Sequence, residues 1–285
     1  MAERTVEKNG IEFVVTEEYT EADIERVQQK SKAMMKTIID ILNKHNIDYM
    51  VAHGTLLGMI RHQGFIPWDD DCDLFLFDWQ YARAIELLRR ELPPDMMVHN
   101  RRTDPIYWPM WTKIRDIHSD TYETLWEMDR KFRYHGICID LLRVTPSSEG
   151  EYRYGKLRDQ WIRKRRNAKK KFAAIRSRKK KVKAAIKYPL RVLRFHYKIH
   201  KYDRLCKKYD KKLLIANKGT VIEGAFDYDA TFPLKEYEFE GITVKGPKDP
   251  DKILRGLYGN YMELPPLESR RSHYSRVEFL DGFTI

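Results

Sequence analysis

His53-Gly54-Thr55-Leu56-Leu57-Gly58-Met59-Ile60-Arg61-His62-Gln63-Gly64-Phe65-Ile66-Pro67-Trp68-Asp69-Asp70-Asp71-Cys72-Asp73-Leu74-Phe75-Leu76 is the stretch on which the reading of this chain turns. The apolar run Ile47–Ala52 before it reads as a buried strand, and Gly54-Thr55 as the start of a short helix running to His62. Gly64 and Pro67 punctuate the turn that follows. Cys72–Phe77 then reads as a second strand. Strand side chains alternate, so Asp71 and Asp73 share a face while Cys72 points to the other. Asp69 joins them if the chain stays extended back to Trp68. Carboxylates gathered on one face raise one another's pKa values unless a cation sits among them. Mg²⁺ meets that need with octahedral oxygen ligation by a few carboxylates and substrate phosphates. A solvated acidic turn capped by Asp69 or Asp70 is the plainer alternative. Against it stands the very apolar continuation Leu74–Phe77, which fixes the charges at the edge of a sheet.

Working outward, Gly54-Thr55 supplies what a phosphate requires. A helix start carries unpaired backbone N–H groups and the positive end of the dipole, glycine permits close approach, and threonine adds a hydroxyl. Arg61 returns to the same helix face two turns later and can clamp a phosphate oxygen. Asp140 ends the apolar strand Gly136–Leu142, where an unassisted charge is costly, and is the natural third carboxylate. Lys113 and Arg115 alternate on Trp111–Arg115 and share one side, facing either the phosphate path or solvent. No histidine pair has zinc-protease spacing, and His53 and His62 read as turn-stabilising residues.

The remaining sequence frames this site. Residues 20–45 form an amphipathic helix capped by Thr20, and Asp78 reads as the cap of a helix over 79–92. Strand signals fall near 96–100, 110–117 and 121–126, a hairpin over 237–244 and a short helix over 249–258. Mixed strands with flanking helices argue for an α/β or α+β core. Within 285 residues carrying a net charge of +12, the basic excess concentrates between 151 and 217. There Leu157, Trp161, Ala168, Phe172, Ile175, Val182 and Ile186 recur at helical spacing, with Pro189 as a break. The divisions expected are therefore a catalytic core over 1–150, a basic helical insertion over 151–217, and a return to the core over 218–285. Such a balance calls for an anionic partner. Cys72, Cys138 and Cys206 form no framework and read as reduced thiols. The N-terminus has no apolar signal region and no run reaches membrane-spanning length, so a cytoplasmic protein, peripheral at the inner face of the membrane, is expected.

The run Gly54–His62 followed by Phe65–Asp73 closely resembles the LicD family, which includes bacterial phosphocholine transferases and fukutin-related enzymes. Lys113-Ile114-Arg115-Asp116, Gly136–Asp140 and Tyr258–Met262 with Pro265-Pro266 extend the likeness to both ends of the chain. The resemblance implies a nucleotidyltransferase-like mixed sheet and a metal held by Asp71, Asp73 and Asp140. Asp69 is expected beside those three in catalysis, with Gly54, Thr55, Arg61, Lys113 and Arg115 on the donor phosphates. It further implies Mg²⁺ or Mn²⁺ as cofactor and a CDP-linked donor. Phosphocholine or a polyol phosphate would pass to a sugar hydroxyl of a glycan or its lipid-linked precursor, with CMP released. Cys72 stands where the family carries an aliphatic residue, and Leu141-Leu142-Arg143 replaces its aromatic-proline ending, which leaves the transferred group open. Two other classes compete: a nucleotidyltransferase acting on nucleic acid, disfavoured because the charge is segregated in one insertion, and a non-catalytic membrane-associated scaffold.

Overall fold

A computed structural model describes residues 2–109, 111–123, 130–153, 212–218 and 221–280, with separate positions between 155 and 197. The chain divides into two compact units, residues 1–144 with 229–285, and residues 145–228.

The first unit opens with a hairpin of β1 (Glu3–Lys8) and β2 (Ile11–Thr16). Its inward side chains Phe13 and Val15 are buried. Helix α1 (Glu21–Lys44) follows as its sequence requires: Thr20 accepts from the Asp23 backbone N–H, and the Asp23 carboxylate accepts from the Thr20 N–H in return. This reciprocal cap satisfies two donors that a helix start leaves open. Ile24, Val27, Met34, Met35, Ile38 and Leu42 form its buried stripe. Each such side chain contributes about 1.5–3 kcal/mol by leaving water.

The central sheet of this unit runs β3-β4-β8-β6-β5. Its members are β3 (Tyr49–Val51), β4 (Cys72–Phe77), β5 (Met96–His99), β6 (Thr112–Asp116) and β8 (Cys138–Ser147). Only the β4–β8 ladder is parallel; the other three are antiparallel. Every residue of β4 is buried, which explains its nearly unbroken apolar composition. Helix α2 (His53–Arg61) links β3 to β4, and α3 (Asp78–Glu91) follows β4; both lie against β4. The expected mixed sheet with flanking helices is what the chain forms.

Smaller pieces complete the unit. Strand β7 (Ser119–Glu123) pairs with β13 (Tyr274–Phe279), and β11 (Lys235–Phe239) with β12 (Ile242–Gly246). Helix α4 (Pro250–Tyr258) starts at Asp249, whose carboxylate accepts from the Lys252 N–H. The second unit contains the antiparallel pair β9 (Leu213–Lys218) and β10 (Val221–Asp227).

One local expectation is corrected. Asp78 is not the cap of α3 but its first residue, with Phe77 at the cap position and no side chain capping there; the Asp78 carboxylate pairs with Arg143 instead. The hairpin β1–β2 and strand β13 carry no strong period-two signal, and β13 owes its strand form to pairing with distant β7. Residues 124–126 of the expected 121–126 strand lie outside the described residues, as do Trp161, Ala168, Phe172, Ile175, Pro189 and Cys206. Among the described residues, no helix is long and apolar enough to cross a membrane.

Charges buried in this unit are matched. Lys30, 7% exposed on α1, reaches Asp116 at 2.9 Å. Arg115, 1% exposed, donates to His99 Nδ1 at 3.0 Å and to the Gly136 carbonyl at 2.8 Å. Burial, aided by the Arg115 charge, holds the His99 imidazole down at about 4.

Candidate active site

Three elements place the acidic side chains. The loop carrying Asp69, Asp70 and Asp71 leads into β4, where Asp73 follows. Buried Gln28 of α1 fixes that loop by donating to the Ile66 carbonyl at 3.2 Å and the Asp69 carbonyl at 2.8 Å. Asp140 lies on β8 directly beside Asp73, its Cα partner in the parallel ladder. Paired residues of adjacent strands share a face, so these two carboxylates emerge on the same side of the sheet. Asp71 is close enough to feel the charges of Asp69, Asp73 and Asp70. Asp69, Asp71 and Asp73 thus gather as expected, with Asp140 next to Asp73.

The helix start meets this cluster. Ala52, at the cap position of α2, offers no side-chain cap, so the first-turn N–H groups receive no capping oxygen from that residue. His53 there has a left-handed backbone, φ +43°, a conformation that side-chain-bearing residues keep only where the surrounding fold enforces it. A Cβ on Gly54 would fall 2.5 Å from Asp69 Oδ2 and 4.0 Å from Asp71 Oδ1. Any other residue at 54 would fill the space between helix start and carboxylates. Thr55 accepts the Asp73 N–H at 2.9 Å through its hydroxyl, leaving its own O–H to donate.

The cations divide. Lys113 pairs with Asp140 Oδ1 at 2.9 Å, and the Trp111 indole N–H donates to Asp140 Oδ2 at 2.8 Å. Both oxygens keep lone pairs for a further partner. Arg115, by contrast, is not brought to the cluster; it belongs to the interior network of His99 and Gly136. Arg61 donates to the Tyr261 and Glu263 carbonyls at 2.8 and 3.3 Å and to His62 Nε2 at 2.9 Å. It ties the end of α2 to the turn before Pro265-Pro266. His62 is held neutral, pushed down to about 4 by burial and then by the Arg61 charge.

Two participants escaped the sequence reading. Asp70 is fully buried and accepts the backbone N–H groups of His273 and Tyr274 at 2.8 and 3.0 Å. It therefore pins the start of β13 to the acidic loop across some two hundred residues of sequence. His273 Nδ1 consequently stands 3.4 Å from Asp69 Oδ1, 3.3 Å from Asp70 Oδ1 and 3.7 Å from Asp71 Oδ2. Asp71 foremost, then hydrogen bonds to Asp69 and Asp70, raise His273 to about 12, so it is an imidazolium here. Burial, then the charge of Asp69, pushes the Asp71 carboxyl well above the usual range, although 37% of its side chain still reaches solvent. No local motif signalled His273, because only the tertiary bond from Asp70 brings it here.

The donor set fits a divalent cation. Ligand atoms of Asp69, Asp71 and His273 lie within 4.8 Å of one another, and Gly54, lacking a Cβ, lets the Asp69 carboxylate approach the helix start. Residues 46–173, less than half of the chain, match the family model of the LicD/FKTN/FKRP nucleotidyltransferase domain. Over 84% of its length the chain is also 23% identical to the lipopolysaccharide cholinephosphotransferase LicD of Haemophilus influenzae, covering 91% of that protein. An uncharacterised protein of Rickettsia prowazekii is 54% identical over 93 residues, 26% of this chain and 35% of the relative.

Asp70→Ala strands two buried backbone donors. Urea unfolding is expected to show a loss of about 2–3 kcal/mol, reduced in Asp70→Asn, which keeps one acceptor. A stability unchanged in Asp70→Ala would contradict the pinning role.

Proposed function

We propose that the protein transfers phosphocholine or a polyol phosphate from a CDP-activated donor to a sugar hydroxyl of a glycan or its lipid-linked precursor, releasing CMP. One observation carries the reading: the loop carboxylates Asp69 and Asp71 lie against the Gly54 helix start, next to a strand on which Asp73 pairs with Asp140. The Haemophilus relative, named for choline phosphate transfer involving lipopolysaccharide, gives it a substrate class.

In this reading Asp71, Asp73 and Asp140 hold Mg²⁺ or Mn²⁺, which would neutralise the donor diphosphate and the charge developing on the leaving phosphate. The chain's own groups do the rest. First-turn N–H groups of α2 and the Thr55 hydroxyl orient the diphosphate, and Gly54 lets it approach the carboxylates. Trp111 and Lys113 keep Asp140 aimed at the site. Asp69 takes the proton of the acceptor hydroxyl as its oxygen forms a bond to the phosphorus of the transferred group. The bond from that phosphorus to the CMP oxygen breaks in line, and its electron pair leaves with CMP.

The acceptor explains the basic second unit. Val182, Ile186, Leu190, Leu193 and Tyr197 are helical and 53–73% exposed, with Lys179, Lys187 and Arg194 among them. Val182 and Ile186 are four residues apart, and Leu190, Leu193 and Tyr197 three and four apart, so each group falls on one helix face. A cationic helix with an exposed apolar stripe suits the surface of an anionic membrane, where each Lys or Arg adds about 1 kcal/mol. Nucleic acid remains the competing anionic partner, and CMP release without nucleotide incorporation separates the two.

Two outcomes are expected. In a panel of CDP-choline, CDP-ribitol and CDP-glycerol with glycan acceptors, Asp71→Asn and Asp73→Asn lose roughly 100-fold or more of CMP release while remaining folded; wild-type turnover in either would sink the assignment. In vesicle flotation, the protein should rise with phosphatidylglycerol vesicles and remain below with phosphatidylcholine alone, and Leu190→Glu with Leu193→Glu should abolish the difference. Equal recovery with both vesicle types would rule the membrane surface out.

A further inference from the structure

We propose that His273, releasing its Nδ1 proton to solvent as the ion binds, is a nitrogen ligand of the cation at the acidic site, so that the site prefers Mn²⁺ to Mg²⁺. This rests on the metal-site reading above and adds to it a residue outside every motif of the chain.

The geometry is unusual for a surface histidine. Its Nδ1 lies 3.3–3.7 Å from oxygens of three different aspartates. Neighbouring ligand atoms on an octahedral ion with bonds near 2.1 Å stand roughly 3 Å apart. The Asp71 Oδ2 separation of 3.7 Å therefore has to close by roughly 0.7 Å for one ion to take both ligands.

His273 is also held in position rather than merely attracted there. Its backbone N–H and that of Tyr274 are fixed on the buried Asp70 carboxylate. Tyr274 is 3% exposed and opens β13, which is itself paired with β7. The imidazole thus projects from an anchored strand start, 48% exposed, on the open side of the carboxylates. Gly54 borders the opposite edge of these carboxylates: a Cβ there would lie 2.5 Å from Asp69 Oδ2 and 4.0 Å from Asp71 Oδ1, the oxygens turned away from His273.

Ligand chemistry then decides the ion. Mg²⁺ favours an all-oxygen shell and keeps its waters, whereas Mn²⁺ accepts imidazole beside carboxylates and binds mixed nitrogen–oxygen sites more readily. A set of Asp71, Asp73 and His273, with Asp69 beside it as the base, is such a site.

Pulsed electron spin resonance of Mn²⁺ added to the metal-free full-length protein tests this directly. The wild type should show nitrogen modulation from a directly bound imidazole. That modulation should vanish in His273→Ala and persist in His53→Ala. By titration, His273→Ala should weaken Mn²⁺ by at least about tenfold and leave Mg²⁺ within a small factor of the wild type. Mn²⁺ bound to the wild type without nitrogen modulation would overturn the proposal and make His273 a counter-ion only, leaving the carboxylate site standing. Failure of the wild type to bind either ion would overturn both. The wild-type spectrum alone is decisive if the alanine variant does not fold.

Discussion

Mutual repulsion among closely spaced carboxylates is the constraint around which this molecule is organised. Asp69, Asp70, Asp71 and Asp73 fall within five consecutive positions, and the parallel β4–β8 ladder adds Asp140 beside the last of them. Burying so much like charge is prohibitive unless each group is answered. The answers are particular: two backbone N–H groups for Asp70, Lys113 and Trp111 for Asp140, and the helix start and His273 for Asp69 and Asp71. Even so, the Asp71 carboxyl is driven up, chiefly by its burial. A cluster left short of positive charge in this way is poised for a divalent cation and the phosphates that accompany it.

That constraint also accounts for the chain's long-range connections. Gln28 reaches from α1 to the acidic loop, Asp70 reaches from the loop to β13, and Arg61 fastens the end of α2 to the 261–263 turn. The site is thus assembled from the two sequence ends, and the residues that hold it are mostly not those that would touch substrate. Arg115 and His99 illustrate the same economy: a buried cation and a neutral imidazole serve the sheet next to the site without entering it.

The sequence made local features legible and distant ones not. Helix α1, strands β3 and β4, the α2 start and Asp140 were readable because period, capping residue and apolar run all lie within a few positions of one another. Asp78 was misplaced by one position, since its carboxylate found Arg143 and Phe77 took the cap position. Lys113 and Arg115 could not be told apart from their alternation; only the partners Asp140 and His99, brought in by other strands, separate a site residue from a structural one. His273 was invisible for the same reason. Its neighbours Arg271 and Ser272 carry no metal motif, and its position depends on a bond made by a residue two hundred positions earlier.

The account stands on a cation seated among carboxylates from two neighbouring strands at the mouth of a short helix. A crystal of the protein soaked in Mn²⁺, read by anomalous scattering, addresses that most directly. The expected result is a peak within about 2.5 Å of the Asp71 carboxylate, on the Gly54 side of β4 and next to Asp73. Saturating Mn²⁺ that leaves this position without anomalous density would contradict it.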